Sequence, residues 1–286
     1  MSAHDQLLVV IDPVARRSDG ESVRIAKDVL HAGAEAKICL PDGPEEFARA
    51  LARRGARRPV VVGDDRALLR AVAHLHRGRE LDGEALSVIP VGPRGTVELA
   101  GALGVPLSTV AAARAVLDGA ARRLDLLVDD SDGVVVRGLR IPAGPAGSAG
   151  PAGPSGLSVV EPPSVWDACR SLVRTLVRPA PSGYSEPLGI RPGPVTRTYR
   201  LRVEADGRLL CGPDDPVEGV TVLSRDGVAE VVVRPRAAEP VRAEAAAVTV
   251  SGASFRYRAD ALVTGPVWTR TWTLRPSAWS LMLPAA

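Results

Sequence analysis

The stretch "VVVGDDRALLRAV", residues 60–72, has three parts: an apolar run, an abrupt turn at Gly63, and a segment with helical spacing of its apolar residues. An apolar run of β-branched residues that ends at glycine is typical of a buried strand. The aspartates that follow the glycine are typical of a helix start. The stretch therefore predicts a strand, a tight turn and a helix in succession.

The same unit recurs through the first part of the chain. Segments such as "QLLVVID", "AKICLP" and "LSVIPVG" alternate with the helical patterns "SVRIAKDVLHAG" and "PEEFARALARRG". Alternating strands and helices of this length predict a mostly parallel sheet with helices on both faces. Ligands bind past the carboxyl ends of such strands. The turns to inspect are therefore "IDPVARR" (11–17), "VGDDRA" (62–67) and "PVGPRGT" (90–96).

The second half of the chain has a different pattern. From "LDLLVDDSDGVVVRGLRIP" onward, short strands are separated by turns such as Asp-Gly, which predicts an antiparallel β-sandwich. We expect an α/β domain over 1–125, a β-sandwich domain over 126–286, and a cleft between them. Within the second domain we expect a Pro/Gly/Ala-rich loop at 142–157 and one helix near 164–178. Three tryptophans are predicted to lie in the sandwich core: Trp268, Trp272 and Trp279.

Composition excludes several classes of protein. No apolar run approaches the roughly 18 to 20 residues of a membrane-spanning helix, and the start of the chain does not resemble a signal peptide, so we expect a cytoplasmic protein. Nucleic acid is an unsuitable partner, because aromatic residues make up only 3% of the chain and no basic cluster interleaves with them. The sequence pI of about 9.0 and the arginine-rich surface suit peripheral contact with an anionic membrane. Cys39, Cys169 and Cys211 are far apart and are interpreted as packing residues.

Three βα turns in this order, followed by a β-rich half that ends "FRYRADALVTGPVWTRTWTLRPSAWSLMLP", resemble the diacylglycerol kinase and sphingosine kinase family of lipid kinases. The resemblance spans nearly the whole chain. Members of that family carry N-P-x-S-G, G-G-D-G-T, P-x-G-T-x-N-D and D-G-E motifs, share a fold with NAD kinases, and transfer the γ-phosphate of ATP to a lipid hydroxyl. The resemblance implies ATP, Mg²⁺ and a lipid acceptor in the interdomain cleft.

The family motifs are only partly present. The first turn matches at Asp12 and Pro13, the second at Gly63 and Asp65, and the third keeps Pro90 and Gly92 but has no N-D pair. The resemblance implies that the nucleotide contacts come from the following residues: Asp12, Gly63, Asp64, Asp65, Arg66, Gly92, Gly95 and Thr96. Either Gly92 or Gly95 with Thr96 corresponds to the family's Gly-Thr, and Glu98 is the nearest acidic stand-in for its N-D pair.

The resemblance also implies catalytic and metal-binding roles for three aspartates. The terminal D-G-E is "DAL" here, so Asp260 alone is retained, at a position that resembles the general base. Asp65 and Asp125 correspond to residues that organise magnesium.

The residues that replace the family's glycines change how a phosphate would bind at this turn. Glycines let the backbone approach phosphates closely, and at Asp64 and Arg66 side chains replace them. A left-handed backbone at these positions would cost on the order of 1 kcal/mol or more. Asp64 also places a second carboxylate beside Asp65, which would repel a polyphosphate. Arg66 and Arg94 are candidate phosphate contacts that offset this repulsion.

Simpler structural interpretations stay open beside each of these roles. Gly63 can end a strand and an aspartate after it can cap a helix, without any ligand. Asp260 can be a turn residue. The chain is then either an active ATP-dependent lipid kinase or a non-catalytic relative that binds a lipid, a nucleotide or a protein. A dinucleotide-dependent enzyme is a third alternative, although no G-x-G-x-x-G follows the first strand. The oligomeric state is open, with a homodimer among the options.

Overall fold

The computed structural model describes residues 6–144 and 198–285, and these residues belong to one compact unit. The predicted helix near 164–178, most of the predicted loop at 142–157, and Cys169 lie outside the described residues. The division into domains at residue 125 therefore stays a prediction.

The first half contains a four-stranded parallel sheet, as predicted. Its strands are β1 (Gln6–Ile11), β2 (Glu35–Cys39), β3 (Arg58–Gly63) and β4 (Ser87–Pro90), in the order β2-β1-β3-β4. Every residue of β3 and β4 is buried. Such continuous burial is expected of a central parallel strand with helices over both faces.

Six α-helices accompany this sheet. They are α1 (Pro13–Ser18), α2 (Gly20–Gly33), α3 (Pro44–Ala52), α4 (Asp65–Arg77), α5 (Glu98–Ala102) and α6 (Thr109–Asp118), with a 3₁₀ turn at Arg94–Thr96. Helix α2 packs on α6, and α3 packs on α4. Right-handed crossovers in this strand order place α2 on one face of the sheet and both α3 and α4 on the other.

The second half forms one ten-stranded antiparallel sheet. Its strands are β5 (Ala120–Asp129), β6 (Val134–Val135), β7 (Gly138–Ile141), β8 (Leu201–Ala205), β9 (Arg208–Cys211), β10 (Val217–Arg225), β11 (Val228–Pro235), β12 (Val241–Ala245), β13 (Ala247–Ala259) and β14 (Leu262–Leu283). The main order is β12-β11-β10-β7-β13-β14-β5-β6, and β8 pairs with both β13 and β9. Strands far apart in this order contribute to one core, so the sheet curls on itself.

The two sheets are joined at Leu86. Its N–H donates to the carbonyl of Ser280 at 2.9 Å, and its carbonyl accepts from the N–H of Met282 at 2.9 Å. The end of β14 thereby continues the hydrogen bonding of the first half. Trp279, Leu281 and Leu283 of the same strand belong to the core of the parallel sheet.

The predicted place in the core of the β-rich half is right for Trp272 alone, because Trp279 is buried in the core of the parallel sheet. Trp272 and Trp279 are fully buried, whereas Trp268 is 70% exposed, so the prediction for Trp268 is wrong. The pairing of β13 with β14 shifts register between Ser251 and Phe255. Alternation along β14 predicts the face that a side chain occupies but not how far the core extends under that face, and Trp268 lies where the regular pairing with β13 ends.

Among the described residues, no helix combines the length and the apolar character needed to cross a membrane. Cys39 is half-buried and Cys211 is buried, and both are free thiols. The Asp206-Gly207 and Asp226-Gly227 turns each join two strands with left-handed backbone at both residues. This conformation is the one that Asp-Gly favours in a two-residue hairpin.

We expect Trp272→Ala to lower the free energy of unfolding by about 3–5 kcal/mol, because it removes a fully buried aromatic side chain. Its ring lies edge-on to Tyr257, with ring centroids 5.1 Å apart. Urea unfolding followed by circular dichroism measures the change. Trp268→Ala is the matched control and should shift stability by less than about 0.5 kcal/mol. Equal losses in the two variants would contradict this description of the core.

Candidate functional site

The three turns predicted to meet do lie together at the carboxyl edge of the parallel sheet. The N–H of Asp12 donates to the carbonyl of Val62 at 2.9 Å, and the N–H of Val91 donates to the carbonyl of Gly63 at 2.9 Å. A Cβ atom on Gly92 would lie 3.7 Å from the Cβ of Asp64. Strands β1, β3 and β4 thus bring four of the predicted residues to one crevice: Asp12, Gly63, Asp64 and Gly92.

Asp12 is buried and both of its carboxylate oxygens have partners. Oδ1 accepts the N–H of Val14 at 2.8 Å, which caps α1. Oδ2 accepts from the guanidinium of Arg70 at 2.6 Å, and this guanidinium also lies 5.2 Å from the ring centroid of Phe47. Arg70, on α4, was missed by the sequence analysis, because 58 residues separate it from Asp12 and no local motif marks the pair.

Gly63 is required by close packing. A Cβ atom there would lie 2.8 Å from the Cβ of Ala67 and 3.0 Å from the Cβ of Asp12. These distances are shorter than ordinary van der Waals contact, so a side chain would force the end of β3 away from α4 and β1. Close packing therefore explains the glycine at position 63 without a bound phosphate.

Asp64 and Arg66 are not strained, contrary to expectation. Asp64 has extended backbone (φ −86°, ψ −178°) and caps α4 by accepting the N–H of Ala67 at 3.0 Å. Arg66 lies in the first turn of α4 and its side chain is exposed. No left-handed backbone occurs at these two residues, because the helix begins at Asp65, directly after a capping aspartate, as the simpler interpretation of the turn allows.

Asp65 is the first residue of α4 and is only 3% exposed. Its two oxygens accept the N–H groups of Leu99 at 2.9 Å and Ala100 at 3.0 Å, and so join α4 to the start of α5. Burial raises the pKa of this carboxyl above its usual value, and the nearby charges of Asp64 and Glu98 raise the pKa further. The two N–H bonds oppose the rise but do not cancel it.

The turn after β4 is more open. Gly92 has φ +151°, and a Cβ atom on it would lie 2.8 Å from the hydroxyl of Thr96. That hydroxyl donates to the carbonyl of Pro93 at 2.9 Å. A Cβ atom on Gly95 would meet nothing within 4 Å. The side chain of Arg94 is exposed and forms no ion pair within the described residues.

Asp125 lies on β5 and joins three strands of the antiparallel sheet. Oδ2 accepts the N–H of Gly227 at 2.8 Å, and Oδ1 accepts the N–H of Ser277 at 2.8 Å. Its backbone carbonyl accepts from the indole N–H of Trp279 at 3.2 Å. Asp125 therefore fixes the β10–β11 turn and an irregular part of β14 to β5.

Asp260 lies in the turn between β13 and β14, with left-handed backbone (φ +48°). Its carboxylate accepts three consecutive N–H groups, from Val136 at 2.7 Å, Arg137 at 2.9 Å and Gly138 at 3.0 Å. Burial raises the pKa of Asp260 to about 6, although the three N–H bonds lower it in part. The residue holds the segment between β6 and β7 in place.

The residues predicted to hold magnesium do not form a metal site. All four carboxylate oxygens of Asp65 and Asp125 already accept backbone N–H groups. Within 6–144 and 198–285, no three His, Cys, Asp or Glu side chains are grouped as metal ligands. Mg²⁺ needs near-octahedral oxygen ligands, several of them water or substrate. The described residues therefore do not fit a protein-held Mg²⁺ ion.

Comparison with solved structures identifies proteins of the same fold. A candidate diacylglycerol kinase from Bacillus anthracis str. Sterne has a TM-score of 0.71 at 13% identity, over 99% of this chain and 98% of that one. A second structure of a candidate diacylglycerol kinase from this organism gives 0.68 at 14% identity, over the same shares of the two chains. A further diacylglycerol kinase structure from it gives 0.67 at 12% identity, again over 99% and 98%.

We expect stability to depend on the pH through Asp260. A carboxyl whose pKa is raised on folding binds a proton more readily in the folded state, so its contribution to stability is lost as the pH rises from about 4 through about 6. The difference in unfolding free energy between wild type and Asp260→Asn should therefore change across this interval and level off above it. Urea unfolding at a series of pH values measures it. A constant difference from pH 4 to pH 7 would contradict the raised pKa.

No protein-family model matches this chain, and no curated protein matches it in sequence. At 12–14% identity the likeness to the solved structures concerns the fold. The predicted fold class is confirmed: the chain has the two-part α/β and β architecture found in the structures of these diacylglycerol kinases.

Proposed function

We propose that this chain binds a lipid on a diacylglycerol kinase fold without transferring phosphate to it. One observation carries the proposal: the acidic residues that would do the chemistry are engaged in holding the backbone. The oxygens of Asp65, Asp125 and Asp260 accept seven backbone N–H bonds between them, two for Asp65, two for Asp125 and three for Asp260.

A general base must lie within hydrogen-bond reach of the hydroxyl it deprotonates. The pKa of about 6 would suit such a role for Asp260. However, its oxygens already accept the N–H groups of residues 136–138, and turning toward a substrate would leave those donors unpaired. An unpaired buried donor costs about 1–3 kcal/mol. This cost favours a structural role over proton transfer.

Residues 262–268 of the β13–β14 hairpin, called the hairpin tip from here on, support a lipid as the ligand. Leu262 is 43% exposed, Val263 is 49% exposed and Trp268 is 70% exposed. Arg258 pairs across the strands with Val263, and residues 261–269 include no acidic side chain. Exposed apolar side chains beside arginine suit the boundary of an anionic membrane, where apolar groups enter the lipid and cations stay near its phosphates.

An ATP-dependent lipid kinase is the second candidate, favoured by the likeness of fold over nearly the whole chain. In that case Arg66 and Arg94 are the residues available to contact the phosphates of ATP, since both side chains are exposed and Arg94 adjoins the open backbone at Gly95. A guanidinium binds phosphate through paired hydrogen bonds. Bound ATP would supply the phosphoryl group, and the acceptor would be a lipid hydroxyl.

We expect no transfer of radiolabelled phosphate from Mg-ATP to diacylglycerols or sphingoid bases, because the carboxylates of Asp65, Asp125 and Asp260 are engaged with backbone N–H groups. We also expect millimolar Mg-ATP to leave the thermal midpoint unchanged, since a ligand that binds only the folded state would raise it. A bacterial diacylglycerol kinase of known activity, assayed in parallel, shows that the assay works. Turnover that Asp260→Asn abolishes without unfolding the protein would refute the proposal and establish the kinase.

We expect Trp268→Ala to weaken binding to phosphatidylglycerol vesicles by about tenfold or more, because burying a large apolar side chain contributes about 1.5–3 kcal/mol. Vesicle co-sedimentation measures the change. The matched control is Leu209→Ala, which removes another exposed apolar side chain, on β9. Equal binding by the two variants would show that the hairpin tip does not contact the membrane.

A further inference from the structure

We propose that a cavity beside Asp125 is a binding site for a phosphate group. The cavity has a volume of about 740 Å³ and is lined by the end of α5, by β5, by the segment before β7 and by the β10–β11 turn. Its ionisable lining residues are four arginines and two aspartates: Arg122, Arg123, Arg137, Arg225, Asp125 and Asp226.

Most of the positive charge at this cavity is uncompensated. The side chains of Arg122, Arg137 and Arg225 are exposed, and they form no ion pair within the described part of the chain. The fourth arginine, Arg123, pairs with Asp82 at 3.1 Å. Three arginines on three different segments thus border one cavity without a carboxylate partner.

The two aspartates offset only part of this charge. The carboxylate of Asp125 is held by the N–H groups of Gly227 and Ser277, and Asp226 is an exposed turn residue. Counting the three unpaired arginines against Asp125 and Asp226 leaves a net charge of +1 at the cavity. An anion is therefore the ligand that this lining favours, and a metal cation is not.

The walls of the cavity are fixed by hydrogen bonds. Asp125 holds the turn that carries Arg225, through the N–H of Gly227. Asp260 holds the segment that carries Arg137, through the N–H groups of Val136 and of Arg137 itself. Strands β7 and β10 are also joined beside the cavity, where the N–H of Ser224 donates to the carbonyl of Arg137 at 2.8 Å. A site whose backbone is already ordered loses less entropy on binding.

Phosphate is the anion that best fits several converging arginines. Each guanidinium can present two parallel N–H donors to two phosphate oxygens, and a phosphate group has oxygens for more than one such contact. A single carboxylate offers only two oxygens. The ligand class is therefore a phosphate or phosphate ester.

The phosphate has two chemical sources, a soluble phosphate or a lipid headgroup. The lipid source rests on the proposed function and adds a headgroup site to it. Asp260 connects the cavity with the hairpin tip. It accepts the N–H groups of Val136 and Arg137, which line the cavity, and it is two residues from the exposed Leu262. A phospholipid could then place its headgroup in the cavity and its acyl chains against the hairpin tip.

The test uses the full chain and the double variant Arg137→Gln/Arg225→Gln. Calorimetric titration with inorganic phosphate, and co-sedimentation with phosphatidylglycerol vesicles, measure the two sources separately. We expect the double variant to weaken phosphate binding by about tenfold or more, because charge-assisted hydrogen bonds to phosphate are lost. The matched control, Arg208→Gln/Arg236→Gln, removes the same charge from exposed arginines outside the cavity and should bind as wild type does.

The outcomes separate this proposal from the proposed function. Loss of both phosphate and vesicle binding supports a lipid headgroup, and loss of phosphate binding alone supports a soluble phosphate. Equal phosphate binding by the double variant and its control, or no phosphate binding by wild type, overturns the cavity as a site. Phosphate transfer from ATP to a lipid by the wild-type protein would refute the proposed function. The titration with inorganic phosphate would still decide whether the cavity binds phosphate.

Discussion

The need of backbone N–H groups for acceptors determines the structure around the three aspartates predicted to do the chemistry. Asp65 satisfies two buried N–H groups, Asp125 satisfies two and Asp260 satisfies three that are partly buried or exposed. An unpaired buried donor is costly, so a carboxylate at such a position contributes to stability directly. These side chains hold α5, the β10–β11 turn and the segment before β7. A metal or a substrate at the same oxygens would have to use the lone pairs that these N–H groups leave.

Local patterns in the sequence were sufficient to predict the fold. Apolar runs ending at a glycine or proline identified β3 and β4, and the alternation of strands with helices predicted the parallel sheet. The Asp-Gly turns predicted hairpins in the second half, and the structure has them at Asp206 and Asp226. These features depend on neighbouring residues, which is why one sequence reveals them.

The candidate site was less predictable, because its contacts join distant residues. Asp260 and Val136 are 124 positions apart, and Asp125 and Ser277 are 152 positions apart. No periodicity in the sequence indicates such pairs. The sequence therefore does not distinguish a carboxylate that stabilises a turn from one that takes part in catalysis. The exposure of Trp268 could not be predicted for a related reason, since the end of the regular β13–β14 pairing beside it depends on residues of the other strand.

Strand β14 is the longest in the sheet, at 22 residues, and it serves both halves of the molecule. Its middle brings Trp272 to one core, and its end brings Trp279 and Leu281 to the other. Because it is also the last strand in chain order, neither core can close on a ribosome until this strand has been synthesised. Until then, the βα units made earlier expose apolar surface. Nascent chains with exposed apolar surface depend on chaperones.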